Sequence, residues 1–155
     1  VTRGRLLFGV ALGLVVAGTA AGIVLAVKGS EPSRLSRAAY VRRANEVCES
    51  YGKRLDRIPP PLDPASPGAV YESIGKALPL LETQATEIEA LRPPEDLQST
   101  VDRFFVLTRR SLRHLRRARG QAGRRELFPM VQSLTAFGNA RDAAKRYGRT
   151  IGFRC

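Results

Sequence analysis

The chain has a single histidine, His114, and only two cysteines, Cys48 and Cys155, far apart in sequence. A metal centre needs several converging ligands, and this set cannot supply them, so neither a metal nor a cofactor is expected. His114 stands within Arg109-Arg110-Ser111-Leu112-Arg113-His114-Leu115-Arg116-Arg117. Those cations oppose its protonation and no adjacent carboxylate orients it, so it reads as a surface residue and not as a base. There is no GxSxG, no HExxH and no glycine loop of the kind that cradles phosphate. Glu72, Glu82, Glu87 and Glu89 fall on one stretch, with Glu82 and Glu89 on a common face. Such a row is expected to be a solvated face or a partner for nearby arginines, and not an acid pair for proton transfer. The expected function is therefore non-catalytic. Alternating strand patterns are missing too, which leaves an all-α class.

Lysine is scarce, occurring only at Lys28, Lys53, Lys76 and Lys145, so the net charge of +12 rests on arginine. That charge is uneven. Residues 1–68 carry a net +5, residues 69–102 a net −5, and residues 103–155 a net +12. An acidic middle beside a basic end suits pairing between neighbouring helices, and the excess at the end suits an anionic partner.

What the sequence does have is an uncharged apolar run, Leu6 to Val27, of 22 residues. As a helix rising ~1.5 Å per residue it would be about 33 Å long, enough for a ~30 Å hydrocarbon core. It outlasts the ~7–15 residues of a signal-peptide core, so an uncleaved membrane anchor is expected, despite the basic Arg3 and Arg5 and the small residues at Gly18-Thr19-Ala20. Residues 1–28 are then anchor and basic flank, 29–35 a polar joint, and 36–155 one helical domain. Gly9/Gly13 and Gly18/Gly22 each form GxxxG, but nine steps of ~100° put the two pairs on opposite faces, so they make no single packing seam.

Two signals disagree about which side the domain occupies. Lys28, Arg34, Arg37, Arg42 and Arg43 outnumber Arg3 and Arg5 and favour a cytoplasmic domain. An isolated cysteine pair in a small domain instead suits a disulfide and an oxidising compartment. Cations on a folded, translocated helix count for less than those in a short loop, so the outside is favoured.

Within the domain, Ser33 or Ser36 caps a first helix to about Ile58, with Val41, Ala44, Cys48, Tyr51, Leu55 and Ile58 as its apolar stripe. Pro59-Pro60-Pro61 stops it, and Ser66-Pro67 starts a second helix that buries Val70, Ile74, Ala77, Leu81, Ala85, Ile88 and Leu91. Pro79 should bend or break that helix. Glu95-Asp96 open a third, with Leu97, Val101, Phe104, Phe105, Thr108, Leu112 and Leu115 inward, ending near Arg119 at the Gly120–Gly123 stretch. A fourth, from about Arg124 to Tyr147, should bury Leu127, Phe128, Val131, Leu134, Phe137, Ala140 and Ala144. The tail carries Ile151 and Phe153 back onto the domain. Four amphipathic helices with short joints predict an up-and-down four-helix bundle, and a Cys48–Cys155 bond would pin its last residue to its first helix.

Arg109, Arg113, Arg116 and Arg117 recur at three- and four-residue spacing, and Arg119, Arg124 and Arg125 extend them. They are the candidate surface for an anionic partner: lipid headgroups or an acidic wall polymer if the domain is outside. Nucleic acid is disfavoured because few aromatics interleave with the arginines. The alternative is a regulatory or nucleic-acid-contacting domain on the cytoplasmic side. No feature names a protein partner.

Tyr40-x3-Ala44-Asn45-x2-Cys48, Leu91-x-Pro93-Pro94-x2-Leu97 and the terminal Cys155 together resemble a broad group of uncharacterised exported or membrane-anchored helical proteins from GC-rich Gram-positive bacteria. The resemblance implies an envelope location and supplies no activity.

Overall fold

The computed structural model describes residues 34–155. The expected anchor, Leu6 to Val27, and its glycine pairs lie outside the described residues, and within them no helix is long and apolar enough to cross a membrane. The described chain is helical throughout: α1 is Arg37–Leu55, α2 Pro67–Glu89, α3 Gln98–Gly123 and α4 Leu127–Ile151, with a single 3-10 turn, Glu95–Leu97, leading into α3. The four helices pack together.

Local chemistry sets most of the boundaries. Ser36 Oγ accepts the Ala39 N–H at the start of α1 and Ser66 Oγ accepts that of Ala69 at the start of α2, with Pro67 in the first turn. Arg34 donates to the Pro93 carbonyl and to Gln98, while the Leu35 N–H bonds the Arg92 carbonyl, so the entry to α1 is tied to the joint between α2 and α3.

Elsewhere tertiary packing overrides the local expectation. α2 passes through Pro79 without interruption. α3 continues four residues beyond Arg119, through both glycines, because Ala118 and Ala122 are almost wholly buried and hold that last turn against the core. The break comes instead at Arg125, whose φ of 60° reverses the chain while the Glu126 N–H bonds the Gln121 carbonyl. α4 accordingly begins at Leu127, and its stripe is rotated from the expected one. Met130, Ser133, Ala140, Ala144, Gly148 and Ile151 are buried, whereas Leu127, Phe128 and Val131 are exposed. α4 closes at Gly152, whose φ of 105° is the left-handed cap that glycine adopts without a Cβ penalty.

Two apolar clusters form the interior. In one, Tyr40, Ala44, Cys48, Ile88, Leu97, Val101, Phe104, Phe105, Ala144, Ile151 and Phe153 come together from all four helices and the tail. Phe104 meets Phe105 and Phe153 edge-on at centroid distances of 5.1 and 5.2 Å, and Phe153 lies 5.7 Å from Tyr40. The other contains Val70, Ile74, Leu78, Leu112, Leu115, Ala118, Ala122 and Met130, from α2, α3 and α4 only. α1 is too short to reach it.

Cys48 and Cys155 stand at disulfide distance, Cα atoms 5.0 Å apart across a separation of 107 residues. Asn45, one turn before Cys48, donates to the Gly152 carbonyl at 3.1 Å and accepts the Arg154 N–H at 2.8 Å. The tail is thus gripped by three groups on consecutive turns of α1: Tyr40 under Phe153, then Asn45, then Cys48.

Tyr40 is fully buried, and its hydroxyl has no hydrogen-bond partner among the described residues. Burial, reinforced by the charge of Asp102, pushes its pKa up to about 12. The unfolded chain loses this proton near pH 10 and the folded chain only near 12, so no stability is lost to ionisation below pH 10, and stability falls as pH rises toward 12. Holding the proton to about pH 12 corresponds to about 2–3 kcal/mol against ionisation. Tyr40→Phe removes the orphaned hydroxyl. It is expected to raise unfolding free energy by about 1–2 kcal/mol at neutral pH and to blunt the alkaline loss. Urea titrations at pH 8 and pH 11 read both effects. Tyr51 keeps part of the alkaline response, because its hydrogen bond to Glu87 also holds its proton.

Candidate basic face

The seven arginines singled out by spacing divide into groups with different partners. Arg109 pairs with Glu89, and Arg116 with Glu82 at 2.6 Å. The glutamates are seven residues apart on α2 and the arginines seven apart on α3, in reversed order, so the rungs join two antiparallel helix faces. These carboxylates serve as arginine partners. They are not set up as an acid pair. Glu87 takes a hydrogen bond from the Tyr51 hydroxyl at 2.5 Å.

Arg124 is committed to Glu126 through two hydrogen bonds, which raise its pKa and lower that of Glu126. Arg119 lies over the Tyr71 ring, 4.7 Å from its centroid, with its guanidinium against Gly75, where no Cβ intervenes. Arg113, Arg117, Arg119 and Arg125 of the seven have no carboxylate partner among the described residues, and of these four Arg119 is taken up by Tyr71.

Two residues that the spacing argument passed over join them. Arg103 and Arg110 are exposed and likewise unpaired, and with Arg117 they recur every seven residues on α3. At ~100° per residue the three fall within a narrow strip, with Arg113 alongside. The heptad repeat from Arg103 was the available signal. His114, at the edge of this strip, is half-buried and not fully on the surface. Its pKa is lowered, first by burial and then by Arg117, Arg110 and Arg113, so the imidazole is neutral and registers the positive field of its neighbours. The result is an outward face of four arginines beside an inward-turned pair already satisfied by α2. Four unpaired guanidiniums on one helix face can hold several anionic groups through charge-assisted hydrogen bonds.

Among the described residues no group of three or more His, Cys, Asp or Glu is placed to hold a metal ion. Compared with family models, with curated proteins and with solved structures, the chain matches none.

Proposed function

We propose that the chain is a membrane-anchored, non-catalytic binding or scaffolding module of the cell envelope. In this reading Leu6 to Val27 spans the bilayer once, and residues 36–155 form an up-and-down four-helix bundle on the outer side. The bundle presents Arg103, Arg110, Arg113 and Arg117 to an anionic surface of lipid headgroups or acidic wall polymer. The observation that carries the reading is the strip of unpaired arginines on α3. The pairing of Cys48 with Cys155 supports the outer side, because such bonds persist in oxidising compartments.

The test uses the full chain in zwitterionic nanodiscs, offered vesicles with and without anionic lipid and, separately, a polyanionic wall polymer or duplex DNA. Each arginine near an anionic surface contributes about 1 kcal/mol, so replacing Arg103, Arg110, Arg113 and Arg117 with Gln is expected to weaken binding at least a hundredfold at low salt. Replacing Arg109 and Arg116, which α2 already occupies, should change it only a few-fold. Equal losses from the two sets would overturn the assignment of the face, and preference for DNA would favour the cytoplasmic alternative. Protease added to intact cells should remove residues 34–155 if the domain is outside.

A further inference from the structure

The seam between the two apolar clusters is not filled. Where α1 ends and the second cluster begins, a half-open cavity of about 300 Å³ remains, bordered by all four helices and the C-terminal tail. Its walls are the side chains of Leu81, Ile88, Phe104, Phe105, Leu112 and Phe137. Its apolar floor loses packing contacts that an apolar occupant would restore.

The polar groups around the cavity are distributed unevenly. Ser111, only 5% exposed, lines the wall, and its hydroxyl makes no hydrogen bond among the described residues. Thr108, beside it, is already spent on the Phe104 carbonyl at 3.0 Å. Arg141, Lys145 and Arg154 also line the cavity. Arg141 and Arg154 are exposed and Lys145 is half-buried, which places them at its mouth. None of the three enters an ion pair among the described residues, although Asp56 lines the same cavity. Three unpaired cations against two carboxylates, those of Asp56 and of the terminal Cys155, leave a positive excess over an apolar chamber, complementary to a molecule with a greasy body and an anionic head.

We propose that this cavity binds one linear aliphatic carboxylate, its chain lying among Phe104, Phe105, Leu112 and Phe137 and its head held at the mouth by Arg141, Lys145 and Arg154. A chamber of this size suits one unbranched chain of medium length and not a bulky multi-chain lipid. Small pockets that bury most of a ligand begin at about this volume. The site is separate from the arginine strip on the outer face of α3 and does not depend on what that strip binds.

The experiment photolabels the full chain in zwitterionic nanodiscs with a twelve-carbon carboxylic acid carrying a mid-chain diazirine, then maps the adducts by mass spectrometry. Adducts are expected on 104–112 and 137–148. Dodecanoate should compete, with dodecanol and dodecyl phosphate at least tenfold weaker. Arg141→Gln with Lys145→Gln should cut labelling by the acid at least fivefold, and labelling by the matching diazirine alcohol by less than twofold. Ala85→Phe, which fills the chamber, should abolish both. If that variant does not fold, Ser111→Leu fills the same space, and the charge variant lies at the mouth where folding is unaffected. Adducts confined to residues 6–27 or to the outer face of α3 would overturn the proposal. So would labelling indifferent to the charge variant, or better competition by the alcohol or the phosphate.

Discussion

Cys155→Ser lowers the unfolding free energy of the helical domain by about 4–5 kcal/mol, the upper end being the chain-entropy value for opening a loop of this length. The bond spans 107 residues and encloses the C-terminal part of α1, from Cys48 on, and the whole of α2, α3 and α4. Without it the unfolded chain gains the conformations that the link had denied it, while in the folded state the exposed Cys155 no longer ties the tail to α1. Guanidinium denaturation of the wild-type chain with and without reductant measures the same quantity. A midpoint that does not move on reduction would mean that the two thiols are unlinked in the protein as isolated.

Phe153→Ala is the second large loss, about 3–5 kcal/mol, in the range for truncating a buried aromatic side chain. The ring is 4% exposed and wedged between Tyr40 and Phe104, two residues beyond the end of α4. It packs only while the tail is held down. The two substitutions should therefore not add: once Cys155 is released, part of the ring's contribution has already gone. A double-mutant cycle is expected to show a coupling of about 1–2 kcal/mol, within the range found for residues in contact or sharing a network. Strict additivity would show that Asn45 and the Gly152 cap seat the tail without help from the bond.

The sequence was most legible where structure is local. Ser36 and Ser66-Pro67 start helices because a cap needs only its own next three residues, and the Pro59-Pro60-Pro61 stop acts through the chain itself. α3 was read correctly along Val101, Phe104, Leu112 and Leu115 because its period is unbroken. Its end was not, because two glycines argue locally for a stop while Ala118 and Ala122 are buried by residues remote in sequence. α4 has so many apolar residues in its first turns that two registers were available. The choice of Met130 over Phe128 is made by the space between α2 and α3, which no local pattern encodes. The basic face was half legible for a similar reason. Spacing grouped the arginines, but only the position of α2 decides that Arg109 and Arg116 are occupied while Arg103 and Arg110 are not. Asn45 stands in the Tyr40-x3-Ala44-Asn45-x2-Cys48 pattern, but nothing there shows its role, since its partners are backbone groups more than a hundred residues away.

The link between Cys48 and Cys155 also fixes how the domain responds to mechanical load. Tension applied between residue 34 and residue 155 runs through the first turns of α1 and across the sulfurs to the last residue, bypassing everything between. α2, α3 and α4 belong to a covalent ring that such a pull never stretches. In an optical trap the chain should lengthen only by the short segment ahead of Cys48 until a reductant is added, after which the remaining helices become extensible.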